Sequence, residues 1–283
     1  MLENTLKKLA ATDPKKMITY PLIVFLVAVL ILAVHFPNLG IDLGGGVAIT
    51  IYGVDASASE VEVFLKQNNF DVTARAIIDP TGKTKIEIRA PLDTDPLEIM
   101  SILRSEYPNA EMHPVKVGAA ISKTAQHQGL KAVILAFIGM AIIVFIFFRD
   151  PIPSLTVVFS ALSDMTIALA LMSIFGLELR QATIAALLLL IGYSVDSNIL
   201  LTTKLLRRKE DTIEDAYFSA VSTGFTMSTT TLGALASLWL LSQAEVIDMI
   251  ASVLIFGLLA DFMNTWILNA GVLRWYIYRG EKK

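Results

Sequence analysis

Residues 130–148 read LKAVILAFIGMAIIVFIFF, and Lys131 is the only charged residue among them. An apolar run of about 18 residues or more matches the hydrocarbon core of a bilayer, whereas a soluble domain rarely needs one. The rest of the chain shares this bias, because 54% of the 283 residues are hydrophobic and only 17% are charged. Soluble domains carry about 25% charged residues. The composition therefore predicts an integral membrane protein and argues against a soluble enzyme.

Six apolar runs predict six transmembrane helices, each near the ~20 residues that a bilayer requires. These runs, called spans one to six, lie at 18–36, 130–148, 152–175, 182–203, 223–241 and 246–273. Span one is followed by a long loop, and spans two to six fill residues 130–273. Because span one exceeds the ~7–15 apolar residues of a signal peptide and lacks an A-x-A-like cleavage site, we expect a retained anchor. The fold class is an α-helical polytopic membrane protein.

Basic residues predict the orientation, because Lys and Arg favour the short cytoplasmic flanks of membrane helices. They concentrate in the N-terminal segment 1–17, in the segment 204–222 between spans four and five, and in the tail 274–283. The short loops on the opposite side, 176–181 and 242–245, contain only one basic residue, Arg180. We expect a multi-pass protein of the cell (plasma) membrane with both termini cytoplasmic and the loop 37–129 extracytoplasmic.

The loop 37–129 has the patterning of a small α+β domain. It predicts strands at 47–52, 71–78, 84–89 and 110–117, and helices at 56–69 and 95–107. Asp79-Pro80-Thr81-Gly82 predicts a turn between the second and third strands, because Pro presets φ and Gly supplies positive φ. The order βαββαβ is that of a split βαβ, or ferredoxin-like, fold. We therefore expect a ferredoxin-like extracytoplasmic domain between the first two transmembrane helices.

The segment between spans four and five contains a helix-starting pattern. Thr212-Ile213-Glu214-Asp215 resembles a capping box, in which a hydroxyl satisfies a free N–H of the first turn. Apolar residues then recur at helical spacing, at Ile213, Ala216, Tyr217 and Ala220. The pattern fits a short amphipathic helix on the cytoplasmic surface, and it fits a continuous extension of span five equally well.

Aspartates inside the apolar spans are the main functional candidates. Asp164 lies in span three, Asp196 in span four and Asp261 in span six, and no Lys or Arg lies deep in any span. Placing an Asp at mid-membrane costs about 2.5–3.5 kcal/mol on insertion scales, so each is a functional hypothesis by default. Asp261 fits a proton relay and structural hydrogen bonding equally well, because its helix also carries Asn264 and Asn269.

Span four is interrupted by a polar break, Gly192-Tyr193-Ser194-Val195-Asp196-Ser197-Asn198, in which Tyr193, Ser194, Asp196 and Asn198 are the site candidates. Helices turn such clusters towards partner helices or a water-filled path rather than towards lipid. One hypothesis is that a proton gradient acts through Asp196, because a buried carboxyl group without a cationic partner can exchange protons. The alternative is a protonated aspartate that only holds helices together.

Span five carries a stripe of small and hydroxyl-bearing residues, namely Thr223, Thr226, Thr230, Ala234 and Ser237. Because small residues let helices approach closely, the stripe is suited to packing against span four. Thr226 and Thr230 therefore join the polar residues of span four as candidates for a proton relay or a partner interface.

The net charge, the cysteine and histidine counts and the absence of protease motifs argue against several other classes of protein. A net charge of -3 provides no basic surface for nucleic acid. Cysteine is absent and the three histidines stand far apart, so we expect no metal site and no cofactor. An intramembrane aspartyl protease would need two facing aspartates in Y-D and G-x-G-D motifs, and the chain has neither motif. We expect no enzyme and no catalytic residue.

Two motifs resemble those of a known family. Gly40-Ile41-Asp42-Leu43-Gly44-Gly45-Gly46, just after span one, is similar to a D-x-x-G-G motif in which Asp42, Gly44 and Gly45 stand at the start of the outer domain. Gly192-Tyr193-Ser194-Val195-Asp196 resembles a span-four signature. Both belong to the SecD/SecF branch of the resistance-nodulation-division (RND) superfamily. One span, a large outer loop and five more spans are typical of a half-unit of that superfamily.

The short chain and the small outer domain fit the SecF type better than the longer SecD type. Asp196-Ser197-Asn198 and Thr202-Thr203-Lys204 stand where bacterial SecF proteins have other residues, and this pattern resembles archaeal SecF proteins. Thr229-Thr230-Thr231-Leu232 is similar to the Thr-rich span five of the family.

The resemblance implies an accessory subunit of the Sec preprotein translocase. Its implied partners are SecD, a SecYEG-type channel, the emerging preprotein and membrane lipids, with spans four to six at the SecD interface. The resemblance also implies that the protein is coupled to the proton motive force and that Asp196 takes part in this coupling. The alternative is an RND-type half-transporter that exports lipids or hydrophobic compounds, although such exporters usually have a larger outer domain.

Overall fold

The computed structural model describes residues 13–78, 84–207, 212–242 and 244–281. In chain order the elements are α1 (Pro14–Val34), α2 (Ile41–Gly44), β1 (Gly46–Tyr52), α3 (Ala58–Gln67), β2 (Thr73–Ile78), β3 (Thr84–Ala90), α4 (Pro96–Glu106), β4 (Glu111–Val117), α5 (Ala119–Phe148), α6 (Pro151–Ile174), α7 (Gln181–Leu206), α8 (Ile213–Leu241), α9 (Glu245–Met263), a π-helical segment (Asn264–Asn269) and α10 (Ala270–Glu281). The turn predicted at 79–82 lies outside the described residues.

Five helical stretches of the described chain are long and apolar enough to cross a membrane, so the protein is a multi-pass membrane protein. They are α1, α5, α6, α7 and the continuous stretch Glu245–Arg279, and they overlap predicted spans one, two, three, four and six. Predicted span five lies in α8, which is not one of the five. The many Ser and Thr residues of α8 lower its mean hydropathy.

Residues 46–117 form a domain with a four-stranded antiparallel sheet in the order β2-β3-β1-β4. The four strands and two helices predicted for this region are confirmed. Alternation along β1 and β3 directs one face of the sheet against α3 and α4. The buried core consists mainly of Val47, Ile49, Ile51, Val61, Leu65, Ile86, Ile88, Ile99 and Leu103. We call this unit the sheet domain.

Helix α5 connects the sheet domain to the bundle as one 30-residue helix. It begins at Ala119, directly after β4 and Gly118, whereas the sequence prediction placed the start of span two at residue 130. Hydropathy marked only the apolar part of this helix. Its more polar first turns pack against α2, where the Gln126 Nε2 donates a hydrogen bond to the Leu43 carbonyl at 2.5 Å.

Helix α8 runs without a break from Ile213 to Leu241. Of the two alternatives for the segment after span four, the continuous extension is therefore the one that the structure contains. The hydroxyl of Thr212 accepts a hydrogen bond from the backbone N–H of Asp215 at 3.1 Å, as the capping pattern predicts. The apolar face that includes Ile213, Ala216 and Tyr217 is buried against α7 and the π-helical segment.

Candidate functional site

Asp164 lies in the middle of α6 and is fully buried. Its Oδ2 accepts a hydrogen bond from the Ser194 hydroxyl of α7 at 2.6 Å, and its Oδ1 accepts one from the Asn264 Nδ2 at 2.6 Å. The same Nδ2 donates to the Ser163 hydroxyl at 2.9 Å. Because its donors come from α7 and from the π-helical segment, Asp164 ties three parts of the bundle together.

Asp261, near the end of α9, is a second buried carboxyl group. Both of its oxygens lie 2.9 Å from the Ser197 hydroxyl of α7, and its Oδ1 accepts a hydrogen bond from the Thr265 hydroxyl at 2.7 Å. Asp164 and Asp261 are close enough to interact electrostatically. The structure thus brings two carboxyl groups from different helices to one buried place.

Two amides extend this arrangement. The Asn269 Nδ2 donates to the Asn198 Oδ1 at 2.5 Å, and the Asn198 Nδ2 donates to the Ser194 carbonyl at 2.7 Å. We call the whole group the polar cluster; it consists of Ser163, Asp164, Ser194, Ser197, Asn198, Asp261, Asn264, Thr265 and Asn269. Within the described part of the chain, hydroxyl and amide groups rather than Lys or Arg donate to its two carboxyl groups.

The π-helical segment positions the asparagines of the polar cluster. A π-turn places residues five apart on one face, so Asn264 and Asn269 both reach α6 or α7. Between them, the Trp266 carbonyl accepts a hydrogen bond from the Tyr217 hydroxyl of α8 at 2.7 Å. The Trp266 ring also packs on Gly224, where an added Cβ would lie 1.8 Å from the ring. Helix α8 therefore holds the π-helical segment in place.

The structure brings the predicted residues Asp164, Asp261, Ser194 and Asn198 together but leaves Asp196 outside. Asp196 is exposed, because two residues along an α-helix correspond to about 200° of rotation away from Ser194. Tyr193 is 39% exposed. The polar break in α7 thus divides into a buried face, which enters the polar cluster, and an exposed face.

The expectation that the small, hydroxyl-bearing stripe of span five packs against span four is wrong for this chain. Thr223, Thr226, Thr230, Ala234 and Ser237 are all exposed. Composition indicated that the stripe suits close packing, but it did not identify the partner. With Ser222, Met227 and Thr231, three of these threonines line an open groove of about 650 Å³, which we call the hydroxyl groove.

Ser163 and Thr265 were not predicted as site residues. Ser197 was noted only as part of the polar break, and Asn264 and Asn269 only as neighbours of Asp261. The two asparagines are five residues apart, a spacing that an α-helix turns to different faces. Only the π-helical geometry brings them into line, and no α-helical periodicity in the sequence indicates it.

Asp42 of the outer motif fixes the start of α7. Its Oδ2 accepts a hydrogen bond from the backbone N–H of Gln181, the first residue of that helix, at 2.6 Å. Nearby, the Gly40 N–H donates to the Leu179 carbonyl at 2.8 Å. The motif therefore connects the chain between α1 and the sheet domain to the helix that carries Ser194.

The glycines of the motif differ in whether their backbone conformation and surroundings would accept a side chain. Gly45 has φ of 74° and Gly46 has φ of 123°, conformations that residues with a Cβ rarely adopt. An added Cβ on Gly44 would make only ordinary contacts with Leu39. The turn into β1 therefore requires Gly45 and Gly46 more strictly than Gly44.

A network of charged side chains joins the sheet domain to the loop between α6 and α7. Glu178 of that loop pairs with Arg75 of β2 and Arg89 of β3, each at 2.6 Å, and with Arg180 at 3.0 Å. Glu87 of β3 pairs with Arg75 at 2.7 Å and with Arg89 at 2.8 Å. Both glutamates are buried. We call these five residues, with Lys85 and Glu245, the ion network.

Lys85 and Glu245 extend the ion network to the start of α9. The Lys85 Nζ lies 2.8 Å from the Glu245 Oε2, and the Arg180 Nη1 lies 3.5 Å from the Glu245 Oε1. Burial of Glu87 opposes its ionisation, but the hydrogen bonds and charges of Arg75 and Arg89 outweigh burial and lower its pKa. The sheet domain is thus bound to the first turns of the two helices that carry Ser194 and Asp261.

Comparison with known proteins gives consistent matches. Residues 99–279 match the family model described as protein export membrane protein SecD/SecF, C-terminal. The chain is 63% identical over 286 residues to the protein-export membrane protein SecF of Thermococcus gammatolerans, a match that covers 98% of this chain and 91% of that protein. It is 56% identical over 290 residues to the SecF protein of Pyrococcus furiosus, covering 100% and 98% of the two chains.

Solved structures with a similar fold include SecDF, a translocon-associated membrane protein from Thermus thermophilus, with a TM-score of 0.76 and 20% sequence identity. A super-membrane-facing form of SecDF gives a TM-score of 0.61. Each match covers 93% of this chain and 38% of the SecDF chain. At this identity the likeness concerns the fold, and the chain spans well under half the length of SecDF.

Proposed function

Because the chain belongs to the SecF family of protein-export membrane proteins, we propose that it is an accessory subunit of a Sec preprotein translocase that assists the export of preproteins. The observation that carries this proposal is the 63% identity to a SecF protein along 98% of the chain. Both relatives are SecF proteins of archaea, in keeping with the motif pattern around Asp196. These relatives do not favour an RND-type exporter of lipids or hydrophobic compounds.

In this proposal the chain works as one part of a hetero-oligomer with SecD. The exposed Tyr193 and Asp196 of α7 and the hydroxyl groove of α8 form the interface with SecD. The supporting observation is their exposure, since an aspartate on a membrane helix is costly against lipid and is normally covered by a partner or by water. Asp196 would then act at the subunit interface rather than inside the polar cluster.

The proposed topology has six transmembrane helices with both termini cytoplasmic. Helix α8 contains the additional span, since its residues 223–241, at about 1.5 Å each, cover about 28 Å, which is close to the ~30 Å hydrocarbon core. The sheet domain is extracytoplasmic and ferredoxin-like, which the βαββαβ order and the strand order β2-β3-β1-β4 support. Residues 37–129 would form the outer region, and 204–222 and 274–283 would face the cytoplasm.

The sheet domain is the proposed contact for the preprotein as it emerges from a SecYEG-type channel. Its place directly above the starts of α7 and α9, fixed by the ion network, supports this role. The apolar faces of α1 and α5, with exposed residues such as Leu30 and Ile143, meet membrane lipid.

The polar cluster is the proposed site of coupling to the proton gradient. Like charges repel strongly in a low-dielectric interior, so two neighbouring carboxyl groups that have no cationic partner among the described residues hold at least one proton between them. Loss or gain of that proton changes which hydroxyl and amide donors Asp164 and Asp261 can use. Because the donors lie on α7 and in the π-helical segment, a proton would alter the packing of these elements.

Co-purification tests the accessory role. Tagged protein isolated from membranes of its own source should bring down SecD and channel subunits. Recovery of neither would overturn the assignment. An Asp196→Asn variant should recover less SecD than the unsubstituted protein; normal recovery with loss of gradient-dependent secretion would instead make Asp196 a relay residue.

Gradient-dependent secretion tests the proton role. Asp164→Asn and Asp261→Asn keep the side-chain size but cannot ionise. Each should assemble with SecD yet lose most of the increase in secretion that the gradient provides. A matched control is Asp215→Asn, an exposed residue in the first turn of α8, which should keep that increase. If both buried variants keep the full gradient-dependent increase in secretion, the polar cluster has only a structural role.

A further inference from the structure

Three basic side chains form a stripe on the part of α5 that is nearest the sheet domain. Lys123, His127 and Lys131 follow one another at intervals of four residues, so they lie within about 80° of one another around the helix. All three are exposed. We call these three residues the basic stripe. None of their side chains forms an ion pair or a hydrogen bond with another residue that the structure describes.

The opposite side of α5 packs against the rest of the protein. Ser122 and Ala125 are buried on that side. Gly129 lies so close to α7 that an added Cβ would be 2.7 Å from the Ile184 Cδ1. Because these three residues occupy the face opposite the basic stripe, the stripe points away from the bundle.

The basic stripe stands at the edge of the apolar part of α5. The apolar run 130–148 is about 28 Å long, close to the ~30 Å hydrocarbon core of a bilayer. Lys131 therefore lies at the boundary of the hydrocarbon, and His127 and Lys123 lie about 6 and 12 Å farther out along the helix. A lysine at this boundary extends its amine into the headgroup layer while its methylene stem stays in apolar surroundings. The stripe thus has the depth of the lipid phosphates.

The same side of α5 becomes apolar directly below the basic stripe. Ile134, Ile138 and Ile142 continue at intervals of four residues, and all three are exposed. We call them the apolar stripe. From Lys131 to Ile142 the helix rises by about 16 Å, which is close to the thickness of one leaflet of the hydrocarbon core. A single lipid molecule therefore matches both stripes in length and in polarity.

The charges around the basic stripe favour an anionic ligand. The sequence contains no Asp or Glu between Glu111 and Asp150. By contrast, Arg75, Lys85 and Arg89 of the sheet domain each pair with a glutamate. Lys and Arg generally favour the cytoplasmic flanks of membrane helices, so uncompensated lysines at the opposite end are unusual. An anion that does not come from the described chain is the complementary partner.

We propose that the basic stripe binds the phosphate headgroup of an anionic membrane lipid, whose acyl chains lie along the apolar stripe. The ammonium groups of Lys123 and Lys131 attract the phosphate, and the His127 ring can donate an N–H to one of its oxygens. A lipid bound there would hold the end of α5 nearest the sheet domain at a fixed depth in the membrane. This inference does not depend on the proposed export or proton roles.

Native mass spectrometry of the intact protein in detergent tests the proposal. Phosphatidylglycerol is the anionic probe, and phosphatidylcholine is the zwitterionic reference. We expect the first phosphatidylglycerol to bind at least tenfold more tightly than the first phosphatidylcholine. Since each lysine beside an anionic lipid contributes about a factor of five in affinity, the double variant Lys123→Gln/Lys131→Gln should lose most of this preference.

Two further double variants separate the basic stripe from overall charge and from misfolding. Lys66→Gln/Arg104→Gln removes two charges from exposed positions on α3 and α4 of the sheet domain and should keep the preference. Lys123→Arg/Lys131→Arg keeps the charge of the stripe and should also keep it. Loss of the preference in all three double variants, or in none of them, would overturn the proposal.

Two other ligands would also contradict it. Glycerol phosphate, a soluble phosphate without acyl chains, should not displace the bound lipid; displacement at equal concentration would indicate a site for free anions. If Lys123→Gln/Lys131→Gln keeps the lipid preference but recovers less SecD from membranes, the basic stripe binds an acidic protein surface instead.

Fluorescence quenching measures where the lipid lies. Ile134→Trp stands next to the basic stripe, and Phe145→Trp stands near the other end of the same side of α5; the native side chains are 49% and 52% exposed. The added emission is measured against the unsubstituted protein. Phosphatidylglycerol with brominated acyl chains should quench it more strongly than brominated phosphatidylcholine at position 134 and equally at position 145. The same ratio at both positions would mean that no lipid is held at the basic stripe.

Discussion

The Asp42 carboxylate accepts a hydrogen bond from the backbone N–H of Gln181 at 2.6 Å, across 139 positions of the sequence. Helix α7 has no side-chain cap hydrogen bond from its own N-cap residue, Arg180, to its first turn. Asp42 therefore supplies a capping acceptor from another part of the chain. The start of the helix that carries Ser194 thus depends on the segment between α1 and the sheet domain.

Replacement of this acceptor should destabilise the protein. We expect Asp42→Ala to lower the free energy of unfolding by about 1 kcal/mol, which is the usual loss when a capping oxygen is removed. Asp42→Asn keeps a good capping oxygen and should lose much less. Thermal unfolding of the two variants in the same detergent provides the measurement. Equal losses for Ala and Asn would mean that charge, not the capping hydrogen bond, is what matters at this position.

Disruption of the ion network should loosen the sheet domain. Glu178→Gln removes the charge that binds Arg75 and Arg89, and we expect a loss of about 2 kcal/mol, the scale of buried hydrogen bonds to charged groups. Limited proteolysis of the intact protein should then cleave the sheet domain faster. Glu111→Gln is the control, because Glu111 is 72% exposed and its one ion pair is with His113 in the described chain. If both variants resist proteolysis equally, the ion network does not hold the domain.

The lowered pKa of Glu87 predicts an acid dependence of stability. A carboxyl group whose pKa is lower in the folded than in the unfolded protein stabilises the fold above the unfolded value, about 4.3. That contribution is lost as pH falls from there through the folded pKa. The unfolding free energy should therefore decrease below about pH 4.3, and this decrease should be smaller in Glu87→Gln. Denaturant titrations at a series of pH values measure it; identical slopes for the two proteins would contradict the assignment.

The contact between Gly224 and Trp266 predicts that position 224 does not accept a residue larger than glycine without a loss of stability. An alanine Cβ at position 224 would lie 1.8 Å from the Trp266 ring, so the ring or helix α8 must shift. We expect Gly224→Ala to cost about 1–3 kcal/mol, as overpacking of a core usually does. Gly233→Ala on the same helix meets nothing within 4 Å and should leave the melting temperature unchanged or higher. A loss of similar size at both positions would indicate a helix-wide effect instead of this contact.

Much of the fold was predictable from local patterns, and the candidate site was only partly so. Apolar runs located five of the membrane helices, and alternation along Val47–Tyr52 and Thr84–Arg89 located the central strands. Periodicity also placed Ile213 and Tyr217 on a buried face. These patterns are local, because each depends on the residues of a single element.

The site depends on relationships between elements, which local patterns do not contain. Ser194 and Asp196 stand two residues apart, and the sequence could not decide which of them faces the interior. Asn264 and Asn269 meet α6 and α7 only because the helix widens into a π-turn. Arg75 and Glu178 are far apart in sequence, and neither carries a motif that points to the other.

The unbroken course of α5 has a mechanical consequence. At about 1.5 Å per residue, its 30 residues make a rod of about 45 Å that starts at the end of β4 and crosses the bilayer. Tilting such a rod by about 5° moves its far end by roughly 4 Å, by the geometry of a rigid helix. A small reorientation within the membrane would therefore be converted, without any local unfolding, into a displacement of the sheet domain about as large as one peptide unit.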